Sequence, residues 1–127
     1  MDKAAEIKIK GMSVQLVVSN LKRSIAFYSG ILGFEVDFIH QDFYAGLIKN
    51  NFSIHLKLGN PSAEERKNKR KHEDLDIIFS VEAVEDLYVE FVNKLVEITL
   101  PLCERNYGKE FYIADPDGYI LAFLEEA

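Results

Sequence analysis

Two ionisable side chains sit in stretches whose alternation turns them away from the apolar side: His55 in FSIHLKL and Asp76 in LDIIFS. Successive side chains of an extended strand point to opposite faces, so His55 falls with Ser53 and Lys57, opposite Ile54 and Leu56. Asp76 shares its face with Asp74, Ile78 and Ser80. An imidazole and a carboxylate are the groups from which acid–base pairs and metal sites are assembled. If Asp76 lies against His55, the carboxylate raises the imidazole pKa and creates a charge switch near neutral pH. His40, in the turn-like IHQDF, and His72, in a charged stretch, read as exposed residues. Cys103 is the single cysteine, so it cannot form an internal disulfide, and nothing beside it has metal-ligand spacing. It reads as structural. No serine stands on a nucleophile elbow, and the singly scattered glycines form no phosphate cradle.

The elements that carry these residues come from a chain that states its plan twice. Val14 to Leu32 reads VQLVVSNLKRSIAFYSGIL and Ile77 to Leu95 reads IIFSVEAVEDLYVEFVNKL, at a constant offset of 63. Each copy is a strand followed by a helix. In the second, Val84, Leu87, Tyr88, Phe91, Val92 and Leu95 form the apolar stripe of an amphipathic helix. In the first, Leu21, Ile25, Tyr28 and Leu32 mark the same stripe, Ser19 or Asn20 caps it, and Gly33 fits its C-terminal end. Three strands follow in each copy: 34–39, 43–48 and 52–58 in the first, 97–100, 110–114 and 119–124 in the second. Asn50-Asn51 and Asp115-Pro116-Asp117-Gly118 supply the corresponding turns. The fold class is therefore α+β, with two βαβββ modules at about 11–58 and 75–125 in one domain spanning 1–127. Neither module covers both faces of its own sheet, so the two are expected to pack together.

Composition limits the partners. The net charge of −6 opposes nucleic-acid binding, which needs a cationic face. No apolar run reaches membrane-spanning length, and the charged MDKAAEIKIK lacks a signal-peptide block, so a cytoplasmic location is expected. The segment 59–74, GNPSAEERKNKRKHED, carries Arg66, Lys67, Lys69, Arg70 and Lys71 and reads as a solvated charged connection with room for a helical turn, the alternative being a basic docking site. Without it the body is left with ten basic and seventeen acidic residues. Such a field favours cationic or neutral ligands over anionic ones.

VVSNLKRSIAFYSGILGFEV (17–36) and FYIADPDGYILAFLE (111–125) resemble the strand–helix–Leu-Gly-Phe signature and the closing hairpin of the vicinal oxygen chelate superfamily. That superfamily includes glyoxalase I, extradiol dioxygenases, fosfomycin resistance enzymes and bleomycin resistance proteins, and the resemblance spans residues 11 to 125. It implies two curved half-barrels, a homodimer, and a ligand site inside each concave sheet. It also implies a metal-ligand set on the first and last strand of each half, which here falls on Ser13, His55, Asp76 and Ala122. Open-site metal catalysis needs about three protein ligands from His, Glu, Asp or Cys. The hydroxyl of Ser13 and the methyl of Ala122 are not such ligands, and Gln15 stands about 6.6 Å along the strand from Ser13, beyond a bond of about 2 Å. No metal, cofactor or catalytic residue is therefore expected.

What remains is a concave small-molecule site whose candidate lining, by strand parity, is Ser13, Gln15, Val17, His55, Lys57, Asp76, Ile78, Ala122 and Leu124. Phe43, Tyr44, Tyr107, Phe111 and Tyr112 are nearby aromatics that read first as core or dimer packing. The reading is a dimeric protein, close in character to the bleomycin resistance branch, that sequesters a cationic or aromatic ligand without metal. One alternative is a metal-dependent lyase, isomerase or dioxygenase with an atypical ligand set. Another is a partner or sensor domain with a vestigial cavity.

Overall fold

The computed structural model describes residues 5–127. Strand β1 (Ser13–Val18) leads into helix α1 (Leu21–Ala26), whose N-terminus is capped by the Asn20 side chain accepting from the Arg23 N–H. Strands β2 (Glu35–His40), β3 (Tyr44–Lys49) and β4 (Phe52–Leu58) complete a sheet of order β1-β4-β3-β2. After helix α2 (Ala63–His72) the pattern repeats: β5 (Ile77–Ser80), α3 (Val84–Asn93), β6 (Glu97–Arg105), β7 (Gly108–Ala114) and β8 (Ile120–Glu126), in the order β5-β8-β7-β6. In each sheet the first strand runs parallel to the last and the others pair antiparallel. Asn50 and Asn51, with φ of 51° and 68°, make the tight β3–β4 turn.

One face of each sheet packs against the helices, and the two helix-covered faces merge into a single core. Phe34 meets Phe79 edge-on, Phe79 stacks on Phe123 at 4.9 Å, and Phe91 stands edge-on to Phe123. Aromatic pairs in these geometries add about 0.5–1.5 kcal/mol each beyond their area burial. The closing hairpin fastens the second module to the first. The Asp115 side chain accepts from the Asp117 and Tyr119 N–H groups, which fixes the turn, and from the buried Tyr28 hydroxyl at 2.7 Å, which reaches across from the first module. The Tyr119 hydroxyl donates to the Val17 carbonyl at 2.6 Å, and the Asp117 carboxylate accepts from the Ser19 hydroxyl.

Three expectations are corrected. The charged segment 59–74 is solvated as expected but holds more than a helical turn: Ala63–His72 form a ten-residue helix, α2, capped by Ser62 and without a buried residue. Acidic residues in its first turn and basic residues in its last complement the helix dipole. The stripe of α3 does not reach Leu95. The helix ends at Asn93, and Leu95 takes a left-handed conformation (φ 59°) and is 90% exposed, while the Val96 N–H returns to the Phe91 carbonyl. Gly33 holds the corresponding left-handed position one residue later in the first copy, because that helix widens into a π turn over Phe27–Ile31 and absorbs an extra residue. Finally, β6 extends to Arg105, well beyond 97–100, with two breaks in its register.

Removing the Tyr28 hydroxyl leaves a buried carboxylate oxygen without its donor, at a cost of about 1–3 kcal/mol. Burial raises the Asp115 pKa, and the bonds from Tyr28 and the hairpin N–H groups only partly offset that. In Tyr28→Phe the pKa rises further, so the native state binds its proton more tightly than the unfolded chain does. The penalty is then full above the folded pKa and shrinks as pH falls through it. Melting curves from about pH 8 to about pH 4 should show the gap between variant and wild type narrowing on acidification; a constant or widening gap contradicts this role for the pair.

Candidate functional site

The face of the first sheet turned away from the helices forms a shallow inner wall. Register places Gln15 of β1, His55 of β4, Gly46 of β3 and Phe38 of β2 in one row across it. Paired residues of neighbouring strands share a face, so these four define the middle of the wall. Tyr44, two residues from Gly46, links them. Gln15 Nε2 donates to the Tyr44 hydroxyl at 3.1 Å, and that hydroxyl lies 2.8 Å from His55 Nδ1. With Gln15 donating to the tyrosine oxygen, the tautomer that completes the chain has the tyrosine proton directed at Nδ1 and the ring hydrogen on Nε2. Phe38 stacks nearly parallel to Tyr44 (6.2 Å between centroids) and meets the His55 ring edge-on at 5.5 Å. The wall thus presents an aromatic platform that includes a hydrogen-bonded imidazole.

Gly46 is what leaves room for it. A Cβ there would stand 2.2 Å from the Phe38 ring. The equivalent row of the second sheet is Ile78, Ala122, Tyr112 and Leu100. There Tyr112 takes the place of Gly46 and fills the hollow. Ala122 is fully buried in an apolar cluster with Tyr112, Ala114, Ile120, Leu75 and Leu100, and burial pushes the Tyr112 hydroxyl pKa up. Glu110, also buried, accepts from Arg105 Nε at 2.9 Å and from the Tyr107 hydroxyl.

Four of the residues singled out in the sequence, Ser13, Gln15, His55 and Lys57, therefore lie on the first sheet, and Asp76, Ile78, Ala122 and Leu124 belong to the second. Ser13, Gln15 and Lys57 are exposed on the first wall, and Ile78 is 59% exposed on the second. Gln15 and Val17 share a cavity of about 500 Å³ with Asp76 and Arg66, between β1 and the start of α2. His40 and His72 are exposed, and Cys103 is half-buried.

The proposed pairing of Asp76 with His55 is overturned. Lys69 Nζ bonds Asp76 Oδ1 at 2.8 Å, while Arg66 and the Ile120 N–H bond Oδ2 at 2.9 and 2.8 Å. Burial alone would raise the Asp76 pKa, but the Lys69, Ile120 and Arg66 bonds outweigh it and hold the carboxyl low. Arg66 also stacks over the Tyr119 ring at 4.2 Å. Asp76 thus serves as the anchor for α2. A divalent ion does not fit this set: both Asp76 oxygens already accept from cations, His55 Nδ1 is engaged by Tyr44, and Ala122 offers a buried methyl. Among the described residues no three His, Cys, Asp or Glu side chains gather around one point.

Sequence reasoning missed Phe38 and took Tyr44 first as packing. The available signal was Gly46 itself, a glycine inside the apolar strand FYAGLI, which marks the close approach of another group.

Residues 12–123 match the Glyoxalase/Bleomycin resistance protein/Dioxygenase superfamily. The chain belongs to this superfamily. Among solved structures it is similar to UcmS2, at 20% identity and a TM-score of 0.77 over 94% of this chain and 100% of that one. It is also similar to the bleomycin-binding protein of bleomycin-producing Streptomyces verticillus, solved with copper(II)-bleomycin (21% identity, TM-score 0.68, 96% and 100% coverage). A third is TnmS3, an antibiotic binding protein from Streptomyces sp. CB03234 (15%, 0.72, 98% and 100%). At these identities the likeness is one of fold. No curated protein sequence matches the chain. Among the described residues no helix is long and apolar enough to cross a membrane.

The tautomer offers a direct check on the wall. Long-range ¹H–¹⁵N spectra of the wild type should show the His55 hydrogen on Nε2, and Tyr44→Phe should shift the population toward Nδ1–H. An Nδ1–H form in the wild type would contradict the Gln15–Tyr44–His55 chain.

Proposed function

We propose that the inner wall of the first sheet binds a small aromatic or cationic molecule and sequesters it without metal and without chemical conversion. The observation that carries this reading is the platform of Phe38, Tyr44 and His55, in which the missing side chain of Gly46 lets the Phe38 ring lie against the sheet. Aromatic faces attract rings and cations alike. The surplus of carboxylates over basic groups in the chain favours a cationic over an anionic guest. Two similar structures support the reading by what they hold or are named for: copper(II)-bleomycin in one and antibiotic binding in the other. Sequestration needs affinity alone, which agrees with a donor set that does not fit a catalytic ion.

The functional unit in this proposal is a homodimer. Phe38 and Phe43, each 41% exposed and in contact with Tyr44, leave apolar surface at the wall, and a second copy related by a two-fold axis is the simplest cover for it.

Calorimetric titration with metal-free bleomycin and a panel of planar cationic aromatics tests both parts. At least one compound should bind, and Phe38→Ala should weaken it about tenfold, the loss of one good aromatic contact. Absence of binding across the panel, or near-stoichiometric tightly held metal in untreated protein, would overturn the proposal.

A further inference from the structure

A second cavity, of about 560 Å³, opens on the helical side of the molecule at the junction of the two modules. It is separate from the inner wall: none of Gln15, Phe38, Tyr44 or His55 lines it. Its floor is the aromatic seam of the core, Phe34, Phe79, Phe91 and Phe123. Phe34, Phe91 and Phe123 are buried beneath it and Phe79 is half-buried, so the floor is apolar and aromatic. The volume falls in the range of pockets that enclose a small organic molecule.

The mouth has a definite electrostatic character. Lys49 and Lys94 face Glu82 and Glu90, so the fixed charges cancel, and Lys94 lies 3.7 Å from Glu90. Such a rim selects against a guest with net charge, which would leave one sign uncompensated next to an apolar floor. Of the two lysines at the mouth, Lys94 pairs with Glu90, and Lys49 has no ion-pair partner among the described residues. Its Nζ comes within 3.3 Å of where a Gly33 Cβ would stand, so the glycine, at φ +78°, lets the ammonium fold over the mouth as a hydrogen-bond donor.

One wall is irregular in a telling way. The first helix carries one residue more than its counterpart α3 and absorbs it in the π turn Phe27–Ile31, and Gly30 and Ile31 of that turn line the cavity. Single π turns inside helices recur at functional sites because they redirect side chains that a regular helix would point elsewhere. Gly30 adds to the opening, with nothing within 4 Å of where its Cβ would be.

We propose that this junction cavity is a second, independent small-molecule site, for an uncharged aromatic compound bearing an acceptor oxygen that meets the Lys49 ammonium. Prodan, a neutral naphthalene ketone whose emission reports its surroundings, is the probe. Wild-type protein should bind it saturably with blue-shifted emission. Gly30→Trp fills the mouth without strain, since Gly30 has no positive φ. It should reduce prodan affinity at least tenfold while the melting temperature holds or rises. Lys49→Met, which keeps the fold whatever Gly30→Trp does, should reduce affinity about tenfold, the loss of one charge-assisted bond. Phe38→Ala removes any prodan held at the inner wall and should leave a saturable site that still responds to Gly30→Trp and Lys49→Met, which separates the two sites. The proposal fails if wild type shows no saturable prodan binding, or if Phe38→Ala abolishes it while Gly30→Trp and Lys49→Met do not. It also fails if Gly30→Trp converts a dimer to a monomer, which would mean that a second copy fills the cavity.

Discussion

In a sheet whose paired residues share a face, the volume above the wall is set by a handful of side chains, and here two equivalent positions decide it. Gly46 and Tyr112 occupy the same place in the two modules, each opposite the central residue of its closing strand, His55 in one case and Ala122 in the other. A hydrogen at the first position leaves the Phe38 ring space to lie against the sheet and keeps His55 within reach of the surface. A phenol ring at the second closes the hollow and buries Ala122 completely. A duplicated architecture thus yields one open wall and one packed one, and the candidate chemistry concentrates on the first sheet.

The open wall is supported from behind by contacts between the modules. Asp115 organises the closing hairpin through its own backbone and receives the Tyr28 hydroxyl from the other module, so turn geometry and module docking share one buried carboxylate. Helix α2 plays a comparable part at the other side. It has no buried residue of its own, so its position rests on ionic contacts, chiefly Arg66 and Lys69 on Asp76 and Arg70 on Glu97. A carboxylate at a position that resembles a metal-ligand site is used instead to hold a helix.

Much of the fold was legible because it rests on period and punctuation. The offset repeat, the alternating strands, Asn50-Asn51 and Asp115 to Gly118 each leave a local mark, and FSIHLKL coincides with β4. The errors have physical reasons. Helix α2 has no apolar stripe, so periodicity could not report it; its ties are long-range ion pairs that a linear reading does not see. The end of α3 was misplaced because the offset aligned Leu95 with Leu32, whereas the π turn shifts the left-handed position to Gly33 in the first copy. The site was half legible. Strand parity put Gln15, His55 and Lys57 on one wall, but the partner of His55 came from a neighbouring strand, Tyr44, and the partner of Asp76 from the charged segment.

The asymmetry between the two walls is the central claim, and stability measures it without any ligand. Urea unfolding of Tyr112→Ala and Tyr44→Ala compares a packed ring with a wall ring of the same size. Tyr112→Ala should cost about 3–5 kcal/mol, as large-to-small changes in a core do, and Tyr44→Ala, half-buried on an open face, about 1–2 kcal/mol. An equal or larger loss at Tyr44 would mean that the first wall is the filled one, and the account would be wrong.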